Sequence, residues 1–214
     1  MKGLGQAGRG LRQRYRSRYE QALVPIASAL NNYLMEIFRE QPRLDRISVR
    51  PKDIEKFLKK AKARVDGAKK YSEPLSQIQD QIGARIITYF KSDVDRFDSL
   101  IRRYFQPIEY RDRIPESEWE FGYFGRHYVL VLPTDVVEDS IDRRLVPDFF
   151  ELQVKTLFQH AWSEAEHDLG YKPGLVPLSV DETRRLAFTS AQAWGADEVF
   201  DDLFRSRENP EVQH

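Results

Sequence analysis

The sequence predicts one α+β domain, a mixed β-sheet flanked by helices, with long helices at its N- and C-terminal ends. Three observations carry that prediction. Helical segments stand at both ends of the chain, with apolar residues at three- and four-residue steps in the first. Between them lie short runs rich in β-branched and aromatic residues. Those runs alternate with further helical stretches, so strands and helices are mixed through the middle. A length of 214 residues suits one ordinary domain with some chain left for terminal helices.

Over residues 11–39, Leu23, Ile26, Leu30, Leu34 and Ile37 mark an amphipathic helix. Pro25 either kinks it or marks its true first turn, and Pro42 helps to end it. A second helix is expected to open at Pro51, where a missing N–H costs nothing. Its apolar face reads Ile54, Phe57, Leu58, Ala61 and Val65, with Lys52, Lys56, Lys59 and Lys60 largely opposite. Residues 84–90 read as a buried strand. Ser92 with Asp95 then forms a capping box for a helix ending near Phe105. Strands are expected over 107–114 and 128–132, and 150–156 alternates Glu151, Gln153 and Lys155 against Leu152 and Val154. Helices follow over 157–169, stopped by Gly170, and over 180–207. No repeat, low-complexity tract or linker interrupts the chain.

Composition narrows the class. An apolar fraction of 41% supports a core, and 32% charged residues fit a helix-rich soluble protein. No apolar run is long enough to cross a bilayer, and no secretory signal opens the chain, so a cytoplasmic address and no membrane partner are expected. Without cysteine, disulfides and thiolate metal sites are excluded. Lys plus Arg equals Asp plus Glu at 34 each, which gives no overall case for a polyanion partner. Residues 1–18 are nevertheless a basic arm (Arg9, Arg12, Arg14, Arg16, Arg18) ahead of the domain at 19–214. Such an arm can touch nucleic acid, although more often it is a solvated end.

His160, Glu164 and His167 share one helix face. The histidines stand two turns apart, whereas a zinc-protease helix needs them one turn apart. His167-Asp168 lacks the further ligands that a metal phosphohydrolase would need. A hydrogen-bonded helix face is the plainer reading. No glycine-rich phosphate loop is present, so a bound nucleotide would need side-chain cations, with Arg50, Lys52 and Lys60 as candidates. The bland alternative is a solvated lysine face. Asp80 and Glu151 are candidate Mg²⁺ ligands. Tyr123, after Gly122 in a loop, either stacks on a base or plugs the edge of the core.

These residues together resemble a family. Glu151-Leu-Gln-Val-Lys-Thr156 with His160-Ala-Trp-Ser-Glu-Ala-Glu-His167 is similar to the RelA/SpoT pattern E-x-Q-[IV]-[RK]-T…H-A-W-x-E-x-E-H. Asp80-Gln-Ile-Gly83-Ala-Arg85 resembles its D-x-x-G-x-R motif, Arg50, Lys52 and Lys60 its phosphate-binding spacing, and Gly122-Tyr123…His127 its G-Y-x-S-x-H guanine loop. The resemblance implies a small single-domain alarmone synthetase with a fold like the polymerase-β nucleotidyltransferases. Its activity would be GTP pyrophosphokinase, moving the β,γ-pyrophosphate of ATP to the 3′-hydroxyl of GDP or GTP.

By the same resemblance, Asp80 and Glu151 hold Mg²⁺, and Glu151 also helps to deprotonate the attacking hydroxyl. Arg50, Lys52 and Lys60 bind ATP. Tyr123 stacks on guanine, while His127 and Gln153 serve the acceptor side. His160, Glu164 and His167 support the sheet. A homo-oligomer, up to a tetramer through the terminal helices, is also implied. Gly125, Arg126, Lys56 and Phe121 depart from the family pattern. The altered loop and basic arm keep two alternatives open: a toxin-like relative acting on the tRNA 3′ end or making adenosine alarmones, and an inactive nucleotide-binding module.

Overall fold

The computed structural model describes residues 6–105, 107–112, 123, 125–171 and 176–208. At the N-terminus α1 (Gln6–Arg18) runs through a π-helical turn at Tyr19–Leu23 into α2 (Val24–Phe38). Pro25 accounts for the turn. It has no N–H to give to the preceding turn, and the wider turn, in which Val24 N–H reaches the Tyr19 carbonyl, carries the helix past it. The expected helix thus persists through Pro25 instead of starting there.

A strand that the sequence reading did not name follows: β1 (Leu44–Pro51). Pro51 is its last residue and not the start of a helix. The Lys52 N–H is bonded to the Gln81 carbonyl at 2.8 Å, which keeps the backbone extended there. α3 (Ile54–Ala61) begins instead behind Asp53, whose Oδ1 accepts the N–H groups of Glu55 at 2.9 Å and Lys56 at 3.1 Å. An Asp cap satisfies two helix-end donors that proline could not. A short hairpin of β2 (Arg64–Val65) and β3 (Ala68–Lys69) and the single turn α4 (Pro74–Gln77) lead to β4 (Ile82–Thr88).

After β4 come α5 (Lys91–Tyr104), β5 (Pro107–Asp112), β6 (Arg126–Val131), β7 (Phe149–Thr156), α6 (Leu157–Tyr171) and α7 (Val180–Glu208). The N-terminus of α5 is not capped by Ser92 and Asp95 as expected. The Asp93 carboxylate accepts the Phe90 N–H at 3.3 Å, and the Ser92 N–H goes to Asp201 of α7 at 2.8 Å. Asp95 instead pairs with Arg126 at 2.6 Å.

The main sheet has the order β1-β4-β7-β6-β5. β4 and β7 run parallel and every other pairing is antiparallel, giving the mixed sheet with flanking helices that the sequence predicts. One face is apolar: Ile82, Ala84, Ile86, Tyr128, Leu130, Leu152 and Val154 are buried with Leu30, Leu34 and Phe38 of α2 and Phe97 and Ile101 of α5. The alternate residues build the opposite face, which carries Arg46, Ser48, Arg50, Arg85, His127, Glu151, Gln153 and Lys155 along with a few apolar side chains such as Ile87 and Val129.

Candidate functional site

Strand register assembles the polar face. Arg50, Gly83 and Glu151 lie side by side on β1, β4 and β7, and Val129 of β6 completes the row. The next row is Ser48, Arg85, Gln153 and His127. A Cβ at Gly83 would meet nothing within 4 Å, so the row has open space between Arg50 and Glu151.

At one end of this face, Asp80 stands just before β4. Its Oδ2 accepts both the Lys52 ammonium at 2.7 Å and the Lys60 ammonium at 2.8 Å. Lys52 comes from the turn after β1 and Lys60 from the last turn of α3. The turn is braced from behind by Tyr15, a fully buried residue of α1 whose hydroxyl donates to the Lys52 carbonyl at 2.8 Å. The Tyr15 ring stacks on Phe57 with centroids 3.6 Å apart, so α3 and the lysine turn share one support. The other Asp80 oxygen, Oδ1, is buried and has no partner among the described residues.

Glu151 is held by its neighbours on the face. His127 Nδ1 lies 3.1 Å from Oε1, and Gln153 Nε2 donates to Oε2 at 2.9 Å. Burial alone would push the carboxyl up, but His127, Gln153 and the charge of Lys52 outweigh it and hold Glu151 at about 2. A carboxylate so weakly basic suits a cation ligand better than a proton acceptor, whose pKa should lie near the working pH.

The far end of the face is closed by α6 and α7. Arg85 is ion-paired with Glu164, and Lys155, 4% exposed, donates to Ser163 at 2.8 Å. Burial, reinforced by Arg85, lowers His160, so its ring is neutral near pH 7. Tyr123 lies at this end, apart from the Asp80 and Glu151 pair. It is 8% exposed, and its hydroxyl donates to Asp197 of α7 at 2.6 Å.

Gly125 shows why this chain departs from the serine of the resembled motif. A Cβ there would sit 2.2 Å from the Val154 carbonyl oxygen and 2.4 Å from Lys155 Cγ, so the backbone at this position lies on β7 only as glycine. Arg126 points to the other face, toward Asp95. Phe121 lies outside the described residues.

The structure therefore places Arg50, Lys52, Lys60, Asp80, His127, Glu151 and Gln153 at one polar surface, with Tyr123 at its distal edge. Sequence reasoning missed Tyr15 and Asp197, which carry no motif. It also missed Thr156-Leu-Phe-Gln159, a readable capping box: the Thr156 N–H donates to Gln159 Oε1 at 2.9 Å, and the Gln159 N–H to Thr156 Oγ1 at 3.0 Å.

Known proteins share this family and fold. Residues 49–175 match the family described as a region found in RelA/SpoT proteins. The GTP pyrophosphokinase YjbM of Bacillus subtilis (strain 168) is 28% identical over 199 residues, covering 89% of this chain and 87% of that protein. The crystal structure of small alarmone synthetase 1 from Bacillus subtilis superposes with a TM-score of 0.71 at 25% identity, over 90% of this chain and 99% of that one. A structure of the same enzyme bound to its product pppGpp gives a TM-score of 0.65 at 25% identity, over 94% and 98%. The matched region contains Arg50, Lys52, Lys60, Asp80, Tyr123, His127, Glu151 and Gln153, and the chain is a member of the RelA/SpoT family.

Proposed function

We propose that this protein is a GTP pyrophosphokinase, transferring the β,γ-pyrophosphoryl group of ATP to the 3′-hydroxyl of GDP or GTP to give ppGpp or pppGpp and AMP. The observation that carries this reading is the Lys52–Asp80–Lys60 cluster on the polar face that also bears Glu151. The relatives named as GTP pyrophosphokinase and small alarmone synthetase, one of them bound to pppGpp, support the guanosine acceptor.

In this reaction the acceptor 3′-hydroxyl gives up its proton to solvent as its oxygen attacks the β-phosphorus, the bond from that phosphorus to the α,β-bridging oxygen breaks, and AMP leaves. Arg50, Lys52 and Lys60 hold the ATP phosphates, the two lysines exchanging the Asp80 carboxylate for phosphate oxygens. Fixed cations at the place where charge shifts lower the barrier. Asp80 and Glu151 would hold Mg²⁺, and the buried, unpartnered Asp80 Oδ1 fits such a ligand. When bound, the ion neutralises charge on the transferring phosphates. His127 and Gln153 keep the Glu151 carboxylate aimed and border the acceptor, and Tyr123 offers its ring to guanine. Phe188, Val199 and Leu203, each more than half exposed along one side of α7, supply an apolar surface for self-association into a homo-oligomer.

The test follows AMP by ³¹P NMR with ATP and Mg²⁺ and, in separate arms, GDP, GTP, ATP as acceptor, or deacylated tRNA. Guanosine acceptors should drive AMP release, and Asp80→Ala and Glu151→Ala should each slow it roughly 10²–10³-fold. AMP release driven only by tRNA or adenosine nucleotides, or undiminished in both variants, would contradict the reading.

A further inference from the structure

Asp197 is fully buried on α7, and its Oδ2 accepts hydrogen bonds from two hydroxyls, Tyr123 at 2.6 Å and Thr156. Burying a carboxyl is costly unless its hydrogen bonds repay it. Its position is specific. Thr156 ends β7, caps α6 through Gln159, and lies five residues beyond Glu151 on the same strand. Tyr123 lies two residues before Gly125, whose missing side chain lets its backbone rest on Val154 and Lys155. One carboxyl thus ties a helix outside the motif region to Tyr123, the residue proposed above to meet the acceptor base.

We infer that Asp197 is a positioning residue for the acceptor nucleotide: it fixes the Tyr123 ring against the end of β7 so that a guanine base meets a preformed surface. The inference rests on the proposed reaction and deepens it. Burial pushes the Asp197 carboxyl up against the opposing help of Thr156 and Tyr123. A neutral acceptor side chain should therefore serve nearly as well as the native one. α7 does not depend on Asp197 for its place. Lys91 pairs with Glu198, Asp201 accepts the Ser92 N–H at 2.8 Å, and Phe158 and Phe90 stack on Phe200 and Phe204 with centroids 5.8 and 4.6 Å apart. Removing the Asp197 carboxyl should therefore release the loop and leave the helix docked.

The experiment measures initial rates while GDP and ATP are varied separately, in the wild type, Asp197→Ala, Asp197→Asn, Tyr123→Phe and the Ala/Phe double variant. Asp197→Ala and Tyr123→Phe should each raise the KM for GDP about tenfold, the scale of one lost hydrogen bond to a buried carboxyl. The KM for ATP should stay within about twofold, and the double variant should be no worse than the worse single one, because both remove the same contact. Asp197→Asn should restore most of the GDP affinity. An unchanged KM for GDP, an equal rise for ATP, or effects that multiply in the double variant would overturn the inference and leave the reaction standing. Should Asp197→Ala fail to fold, Tyr123→Phe and Asp197→Asn decide by the same KM comparison. A wild type with no transfer to GDP at all overturns the reaction and the inference together.

Discussion

Glu151 shows how neighbouring side chains set the character of a single group. Its two oxygens are occupied by His127 and Gln153, and its carboxyl stands at about 2 against an ordinary 4.5. A folded value depressed in this way contributes stability that is fully present above about pH 4.5 and is lost as pH falls through about 2. The contribution is on the order of 3 kcal/mol. The stability deficit of Glu151→Gln relative to wild type should therefore shrink as urea unfolding is followed from pH 6 down to pH 3; a deficit constant across that range would show that the carboxylate is not held as described. For the same reason, the rate profile from pH 6 to 9 should contain no ionisation that disappears in Glu151→Gln. Gly125 makes a second residue-level case. Gly125→Ser, the residue of the resembled motif, forces a side chain into the Val154 carbonyl and should cost about 1–3 kcal/mol in chemical denaturation. A neutral effect would mean that the loop lies further from β7.

At the scale of elements, α3 helps to build the Lys52–Asp80–Lys60 cluster proposed to bind ATP. Asp53 caps that helix through two backbone donors, and Lys60 reaches Asp80 from its last turn. Asp53→Ala should lower stability by about 1 kcal/mol and raise the KM for ATP more than that for GDP, measured by steady-state kinetics. Much of this architecture is legible in the sequence, because Ile86, Val154 and Leu130 announce buried strands and Leu30 and Leu34 an amphipathic helix. β1 is not legible. It is an edge strand whose outward side carries Arg46, Ser48 and Arg50, and it ends on a proline that equally suits a helix start. The motif residues of the site are legible because they cluster along the chain. The Tyr123–Asp197 bond spans 74 positions and Asp197 stands in no motif, so only the folded chain brings the pair into view.

For the whole molecule, the proposed site spans two ends of one polar sheet face. Asp80 with Lys52 and Lys60 occupies one end, Tyr123 and α7 close the other, and Glu151 with His127 lies between them. α7 has a second role in prospect, since its exposed Phe188, Val199 and Leu203 face away from this chain's core. Leu203→Glu should shift the protein toward monomer in light scattering coupled to size exclusion, and an unchanged mass would place self-association elsewhere. The central claim is the transfer itself. The most direct measurement supplies ATP labelled in its terminal phosphate together with GDP and resolves the products by chromatography. The account predicts label on ppGpp with one AMP formed for each labelled product; label in inorganic phosphate, or ADP as the adenosine product, would contradict it.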